Sequence, residues 1–504
     1  MSEATAKPLI NICIIGHVDS GKSTLCGQLA TKFGTLDERQ QAKLAKIAEE
    51  NQKGSFTLAY FTDRTEQERK RGVTINTTLV EMQTTKFKIN FLDCPGHADY
   101  IKNATSGCKQ SDLSIVVVPA DFQASCSADG TLKTHLTLAA ILGSKSFIVC
   151  INKLDEVAEK ARKADGSGNV NSDNLKPIFD AAVAAVGKLL KKLVPDPKSI
   201  IYLPVSALHG IGIFKDGKKF DFFEGYIPPE GKAKPGFEKI TSLEEAIDFQ
   251  ETPKRPTDQR LRIPVSSLAH VPGQGPIICG RVDYGILTKG MLVKDLPLGF
   301  VGEVKNIQAH KQDVEAGVAG MNIGFSLKIE DKNKAPLIEK VTAGHMIGDA
   351  KDESFNLYPF YLVSCVSLKG KSKSSGQEEK GIKSGYTPVV SCGTSNIASK
   401  FVKLVSAVDR DSNAVVENPP FIAKDQKFTA LIYPTKQALF EGVKSFPNLG
   451  KFVCRDSGVL VAVGQIIECV SEEKALSEYG VDLKEVTGTK PTGSVTTDKK
   501  GKKK

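Results

Sequence analysis

Long apolar runs and paired cysteines are both missing from this chain of 504 residues. No run approaches the about 20 consecutive apolar residues that a transmembrane helix requires, and residues 1–8 contain no apolar stretch like that of a signal peptide. The eleven cysteines form no C-x-x-C pair and show no His/Cys spacing typical of a metal site. We therefore expect a cytoplasmic protein with no membrane partner, in which most cysteines are small apolar core residues.

A strong excess of one charge is also missing. The chain has 68 Lys and Arg against 58 Asp and Glu, which gives a formal net charge of +10. Part of this excess lies in residues 497–504, where lysines would raise the affinity for a phosphate-rich partner. RNA is therefore a candidate partner. The length predicts about three domains, each large enough for its own core.

A phosphate-binding loop follows the apolar run at residues 12–15. The glycines of the G-x-x-x-x-G-K-[ST] pattern let backbone N–H groups surround a phosphate, while its lysine adds a positive charge and its serine offers a hydroxyl to Mg²⁺. The pattern is filled here by Gly16, His17, Val18, Asp19, Ser20, Gly21, Lys22, Ser23 and Thr24. Within this predicted nucleotide site we interpret His17 as a structural residue.

Three further motifs each follow a strand-like run, and together they predict a site for GTP or GDP with Mg²⁺. In the first, an aspartate is placed to hold the Mg²⁺ shell and a glycine N–H to sense the γ-phosphate. In the second, the carboxylate of Asp155 can accept both N–H groups on the N1 and N2 edge of guanine, which adenine lacks. The third is expected to close over the base. They consist of Asp93, Cys94, Pro95 and Gly96; Asn152, Lys153, Leu154 and Asp155; and Ser206, Ala207 and Leu208.

The pattern of the chain changes at a charged, proline-containing stretch, residues 252–258. Before it, apolar runs alternate with helical patterns, which predicts an α/β domain with a mainly parallel sheet. After it, short alternating runs with glycine-containing turns predict two barrels. We therefore predict an α/β P-loop GTPase domain followed by two small all-β barrel domains. The predicted boundaries are 1–250 for the GTP-binding domain, 251–260 for a linker, 261–352 and 353–470 for the barrels, and 471–504 for a polar, lysine-ended tail; residues 369–384 are predicted to form a mobile loop.

This arrangement resembles the translational GTPases of the elongation factor 1-alpha and elongation factor Tu family, most closely eukaryotic elongation factor 1-alpha. His97, directly after Asp93, Cys94, Pro95 and Gly96, carries much of the resemblance. Residues 53–56, 63–64 and 72–75 resemble the long first switch of the family. Residues 281–285 and 320–325 resemble its second domain, and residues 385–389 and 450–456 resemble its third. The resemblance covers nearly the whole chain.

The resemblance implies roles for particular residues. His97 is expected to position the attacking water, and Val18 and Val73 to form an apolar gate in front of it. Mg²⁺ is expected at Ser23, Thr74 and, through water, Asp93. Asn322 and Phe325 are expected in a pocket for the aminoacylated end of tRNA. The implied partners of this monomer are aminoacyl-tRNA, the ribosome, a guanine-nucleotide exchange factor and, as a side role, actin.

Two segments of the second barrel depart from the family pattern. Residues 393–396 replace a histidine-containing segment, and residues 457–460 replace an arginine; residues 210–240 show no pattern to which we can assign a role. Three functions therefore stay open. The first is delivery of aminoacyl-tRNA with GTP hydrolysis, the second is a release- or rescue-factor GTPase that carries a tRNA-shaped protein, and the third is a cytoskeletal or RNA binding module.

Overall fold

A computed structural model describes residues 7–33, 36–50, 57–126, 131–165, 172–271, 273, 275–309, 312–368, 381–409 and 412–487. The chain forms two compact units. The first comprises Met1–Lys294, Phe300–Ala343 and Ile347–Asp352, and the second comprises Asp295–Gly299, Gly344–Met346 and Glu353–Lys504. Within the described ranges, no helix is both long and apolar enough to cross a membrane.

The first unit begins with a six-stranded sheet in the order β2-β3-β1-β4-β5-β6. All neighbouring strands are parallel except β2 and β3, which are antiparallel. The inner strands are buried on both faces, as their continuous Ile, Val and Leu content requires. The four strand-like runs of the sequence lie in β1, β3, β5 and β6, so those predictions are confirmed. The strands are β1 (Leu9–Gly16), β2 (Thr78–Gln83), β3 (Lys88–Asp93), β4 (Leu113–Pro119), β5 (Ser146–Asn152) and β6 (Ile201–Pro204).

Helices cover the sheet and begin close to the motifs. The α-helices of this part are α1 (Lys22–Lys32), α2 (Glu38–Glu50), α3 (Glu66–Arg71), α4 (Ile101–Gln110), α5 (Gln123–Cys126), α6 (Thr131–Leu142), α7 (Leu154–Asp165), α8 (Ser172–Leu190) and α9 (Leu243–Phe249). Residues 53–56, which are part of the resemblance to the first switch, lie outside the described residues.

Residues 210–240, which show no assignable pattern in the sequence, form an irregular segment that completes the core of the first domain. Ile213 and Ile240 are fully buried in the cluster that contains the sheet residues. The ring of Phe214 contacts Phe33 at 6.2 Å between centroids, and that of Phe223 contacts Phe179 at 5.7 Å. The segment therefore acts as a cover held by aromatic side chains and by scattered backbone hydrogen bonds, such as the pair that Tyr226 and Ile240 exchange.

The first unit also contains a barrel. Its sheet has the order β10-β15-β7-β8-β14-β11-β12, and pairing of β10 with β11 closes six of these strands into a ring. The strands are β7 (Arg262–Val271), β8 (Gly275–Arg281), β9 (Ile286–Thr288), β10 (Leu292–Leu296), β11 (Val301–Ala309), β12 (Gln312–Val314), β13 (Ala316–Val318), β14 (Asn322–Lys328) and β15 (Met346–Asp349).

The second unit contains the other barrel, in the order β17-β21-β22-β16-β20-β18-β19, closed by pairing of β17 with β18. The predicted fold class is therefore confirmed. The strands are β16 (Phe360–Ser367), β17 (Val389–Cys392), β18 (Ser395–Val408), β19 (Val415–Glu417), β20 (Lys427–Pro434), β21 (Lys451–Asp456) and β22 (Val459–Val470). Residues 369–380 of the predicted mobile loop lie outside the described residues.

Both departures from the family pattern fall on tight turns of this barrel. Ser457 and Gly458 join β21 to β22 with φ values of 49° and 81°, the positive values that a two-residue hairpin of type I′ requires. Gly393 has a φ of 56° in the hairpin that joins β17 to β18. The residues at these positions therefore suit short turns.

The prediction of a polar tail at 471–504 is wrong for its first part. Ser471 caps α10 (Glu472–Tyr479) by accepting a hydrogen bond from the N–H of Lys474, and α11 (Leu483–Thr487) follows. Ala475 is buried together with Phe360, Leu431 and Val470 of the barrel. The apolar residues of this segment are few but spaced to one side, so they form a packed surface. Residues 488–504 lie outside the described residues.

Candidate nucleotide-binding site

The four sequence motifs meet at one edge of the sheet, where β1, β3, β5 and β6 end. Crevices at the carboxyl ends of parallel strands are the usual ligand sites of such sheets. A cavity of about 370 Å³ opens there. It is lined by Val18, Asp19, Gly21, Lys22, Ser23, Thr24, Ala59, Asp63, Gly72, Val73, Thr74, Gly96, His97, Asn152, Lys153, Asp155, Glu156, Ala207 and Leu208.

Lys22 is held in place within the phosphate loop. Gly21 has a φ of 94°, which allows the chain to turn into α1 at Lys22. Lys22 is only 6% exposed, and its Nζ donates a hydrogen bond to the carbonyl oxygen of His17 at 2.7 Å. Burial lowers the pKa of Lys22, although the carboxylate of Asp93 opposes that change. A cation so placed can meet a phosphate without first being ordered.

Asn152 joins three of the motifs. Its Nδ2 donates to the carbonyl oxygen of Ser20 at 2.8 Å, and its Oδ1 accepts from the N–H of Ala207 at 2.9 Å. A Cβ on Gly21 would collide with the same Nδ2. The phosphate loop and the two base-side motifs are thus fixed relative to one another.

Asp155 presents a free acceptor to the cavity. Its Oδ1 is buried and has no hydrogen-bond partner among the described residues. Its Oδ2 lies 3.5 Å from Nε2 of His209. A buried carboxylate oxygen without a donor is costly unless a ligand supplies one. The N1 and N2 edge of guanine offers such donors, so the geometry suits the predicted base.

A cluster of oxygen atoms lies beside Lys22. Oγ of Ser23 is 3.0 Å from Oγ1 of Thr74, which donates to Oδ1 of Asp63 at 2.8 Å. Both carboxylate oxygens of Asp93 are buried and without a partner among the described residues. Burial raises the pKa of Asp93, and burial together with the nearby Asp93 raises the pKa of Asp63 to about 7. Such a cluster of hydroxyl and carboxylate oxygens fits a Mg²⁺ ion.

Asp63 is a residue of this cluster that the sequence argument did not assign. It stands in the segment that resembles the first switch, but it is 11 positions from Thr74. The resemblance of this segment to the first switch was the one sequence feature that could have pointed to Asp63. Only the fold of residues 57–77 brings the two side chains together.

His97 lies at the mouth of the cavity. Its side chain is 44% exposed, and its ring is 5.8 Å from the ring of Tyr100. The N–H of Asp99 donates to Nδ1 of His97 at 3.2 Å. Since Nδ1 accepts this bond, Nε2 is the nitrogen left to meet a water or ligand. Val18 and Val73 line the same cavity.

Seven of the predicted residues lie behind the cavity wall rather than on it. His17 is one example. Its Nδ1 is 2.9 Å from Oγ1 of Thr131, and this hydroxyl donates a hydrogen bond to the carbonyl oxygen of Gly96 at 3.1 Å. This contact supports the structural interpretation of His17, whose pKa burial lowers. The residues behind the wall are Gly16, His17, Ser20, Asp93, Cys94, Pro95 and Ser206.

The expected pocket at Asn322 and Phe325 is a wrong prediction in its stated form. Both residues lie in β14, but they are three positions apart and so point to opposite faces of the strand. Phe325 is only 1% exposed and belongs to the barrel interior. Asn322 is partly exposed and pairs with Arg281 of β8. The two side chains therefore cannot line one pocket.

Comparisons with known proteins agree with this geometry. Residues 7–252 match the model of the elongation factor Tu GTP binding domain, and residues 376–467 match that of the GTP-eEF1A C-terminal domain-like family. Elongation factor 1-alpha of Encephalitozoon cuniculi is 37% identical over 484 residues, which is 96% of each chain. This chain belongs to the elongation factor 1-alpha family. The Saccharomyces cerevisiae member is 34% identical over 473 residues, 93% of this chain and 96% of its own.

Solved structures show the same fold at lower identity. The GTP-bound GTPase-like domain of S. cerevisiae Ski7 matches with a TM-score of 0.68 at 15% identity, covering 92% of this chain and 98% of its own. A bacterial selenocysteine-specific elongation factor matches with a TM-score of 0.59 at 21% identity, covering 94% and 61%. As a member of its family, the protein is a translational GTPase that binds GTP and GDP, hydrolyses GTP and acts in protein biosynthesis.

Proposed function

We propose that this GTPase, in its GTP form, carries aminoacyl-tRNA to the ribosomal A site and hydrolyses GTP on codon recognition. The observation that carries the proposal is the extent of the likeness: relatives named elongation factor 1-alpha match more than nine-tenths of the chain, both barrels included. A likeness restricted to the GTPase domain would not indicate which molecule the protein carries.

We propose that the cavity holds the nucleotide with Mg²⁺. Lys22 and the N–H groups of the phosphate loop would face the phosphates, and Asp155 would face the base. Ser23 and Thr74 would hold the ion directly and Asp93 through water, with Asp63 supporting Thr74 through its hydrogen bond. Mg²⁺ in such sites neutralises charge that develops on the transferred phosphoryl group.

His97 is the proposed water-positioning residue. Its Nδ1 accepts a hydrogen bond from the N–H of Asp99, so Nε2 would be the nitrogen that meets the water. Val18 and Val73, which line the same cavity, are the proposed gate in front of it. Phosphoryl transfer depends mostly on positioning and electrostatics, so a movement of this ring by a few ångströms would switch the reaction on or off.

The remaining partners follow from the same role. A factor that releases its cargo with GDP bound needs nucleotide exchange, so we propose a guanine-nucleotide exchange factor as a partner, with the cytoplasm as the place of action. The predicted boundaries of the GTP-binding domain, the linker and the two barrels are part of the proposal, as is the monomeric state. Actin stays a secondary candidate.

Protection of the aminoacyl ester tests the proposal. Spontaneous deacylation of aminoacyl-tRNA would be followed with the protein bound to Mg²⁺ and GTP, and the same protein bound to GDP would serve as the control. We expect the ester to decay several times more slowly only with the GTP form. Equal decay in both forms would overturn the carrier role and leave a protein cargo as the better candidate.

A further inference from the structure

We propose that Asn103 is a positioning residue that couples the segment carrying Thr74 to the helix that follows His97. The inference rests on GTP hydrolysis, which the family membership establishes, and on the roles proposed above for Thr74 and His97, but not on the nature of the cargo. Hydrolysis needs Thr74 and His97 in place at the same moment, yet they come from different parts of the chain. A direct link between these parts would make one respond to the other.

One end of the link is the backbone next to Thr74. Nδ2 of Asn103 donates to the carbonyl oxygen of Ile75 at 2.7 Å and lies 3.4 Å from Oδ1 of Asn76. The hydroxyl of Thr77 donates in return to the carbonyl oxygen of Asn103 at 2.8 Å. Three contacts therefore tie residues 75–77 to this one position.

The other end of the link is the start of α4. Asn103 is the third residue of this helix, which follows the 3-10 turn Ala98–Tyr100. The N–H of Tyr100 donates to the carbonyl oxygen of His97 at 3.1 Å, and Nη1 of Arg71 lies 3.1 Å from the Tyr100 hydroxyl. A shift of Asn103 along the helix axis would therefore change the position of His97.

The segment beside Thr74 is stiff enough to transmit such a shift. Glu68 is 2% exposed, and its Oε1 accepts hydrogen bonds from the N–H groups of Ile75 at 3.0 Å and Asn76 at 3.1 Å. Its Oε2 accepts from Thr65, which completes a capping box on α3. Residues 75 and 76 are thus held on one side by Glu68 and on the other by Asn103. A ligand that orders Thr74 would therefore change the position of α4 through residues 75 and 76.

The experiment compares Asn103→Ala with Gln110→Ala, the matched control. Gln110 is an amide on the same helix. Among the described residues its Nε2 donates only to the carbonyl oxygen of Ser106, at 3.2 Å, within that helix. Single-turnover GTP hydrolysis and GDP affinity would be measured for each, with the protein alone and with ribosomes. For Asn103→Ala we expect hydrolysis to fall about five- to tenfold, the size of one lost hydrogen bond, with GDP affinity unchanged. Gln110→Ala should match the wild type in both.

A second pair of variants separates positioning from a structural role. In a His97→Ala background, Asn103→Ala should lower hydrolysis no further, because the link then has nothing to position. Asn103→Asp, which keeps the size but loses the donor, should behave like Asn103→Ala. The same fold-loss in both backgrounds, or a loss of GDP affinity, would overturn the inference. If ribosomes did not stimulate GTP hydrolysis by the wild type, that result would instead count against the proposed function. The hydrolysis rates of the variants without ribosomes would still test the inference.

Discussion

Arg255 donates hydrogen bonds from Nη1 and Nη2 to the two carboxylate oxygens of Asp112, each at 2.8 Å. Arg255 belongs to the predicted linker, and Asp112 directly precedes β4. The N–H of Asn11 also donates to Asp112, at 2.8 Å. Burial opposes ionisation of Asp112, but the guanidinium groups of Arg281 and Arg255 hold its pKa below the usual range. A largely buried ion pair thus fixes the linker against the sheet of the first domain.

Asp112→Asn should lower the stability of the first unit by about 2–4 kcal/mol at neutral pH, because it leaves a largely buried guanidinium without its counter-charge. Since the pKa of Asp112 is lowered on folding, its stabilisation is present above the unfolded value and is lost as the pH falls below about 4. The difference in the free energy of unfolding between wild type and variant, measured with urea, should therefore be constant from pH 8 to pH 5 and should decrease below pH 5. Asp180→Asn, which removes the exposed partner of Lys176, is the control and should have little effect. A difference in the free energy of unfolding that increases in acid would contradict this account.

Asp155→Asn should move the nucleotide preference from guanine toward xanthine, which carries a carbonyl where guanine has its amino group. The buried, unpartnered Oδ1 is the reason to expect a direct contact with the base. Competition between GDP and XDP for the protein measures the preference. Asp180→Asn, which alters an exposed carboxylate outside the cavity, is the control. Retention of the guanine preference by Asp155→Asn would show that this carboxylate does not face the base.

His97→Ala and Lys22→Ala should separate chemistry from binding. The first should leave GTP affinity nearly unchanged and lower ribosome-stimulated hydrolysis by orders of magnitude. The second should weaken nucleotide binding itself, because a cation aimed at the phosphates is lost. Equilibrium binding and single-turnover hydrolysis together give the two readouts. Equal hydrolysis rates for the wild type and His97→Ala would remove His97 from the active site.

Removal of residues 472–504 should destabilise the second unit, whereas removal of residues 488–504 alone should not. The longer deletion strips α10 and α11 and uncovers Phe360, Leu431 and Val470. It also removes the carbonyl oxygen of Tyr479, which accepts a hydrogen bond from Nζ of Lys403 at 2.7 Å. A lower thermal midpoint and increased binding of a hydrophobic dye would report the change. Equal midpoints for the two deletions would show that the helices contribute nothing to the barrel.

Sequence reasoning predicted the parts of the site that lie next to each other in the chain. The four motifs each follow a strand-like run, and parallel strands carry them to one edge without further information. Asp63 was not assigned, because its contact with Thr74 depends on how an irregular segment folds back. Asn152 was placed in the site, but its bridging of Ser20 and Ala207 is visible only in three dimensions.

Other differences have simple physical causes. Asn322 and Phe325 were grouped by resemblance, although the period of two in a strand already separates their faces. The helices after Ser471 were missed because their apolar residues are sparse and mixed with charges. Residues 210–240 follow no period, since they form no helix or strand and are held by aromatic contacts and scattered backbone hydrogen bonds.

Peptide bond formation on ribosomes with a defined A-site codon tests the central claim most directly. The ribosomes would hold an initiator in the P site, and the protein would be supplied with one aminoacyl-tRNA. With GTP and the matching codon, we predict rapid dipeptide formation accompanied by one GTP hydrolysed per dipeptide. The rate should fall strongly with a non-hydrolysable GTP analogue or a mismatched codon. Dipeptide formation that is equally fast with and without the protein would contradict its role as the carrier of aminoacyl-tRNA.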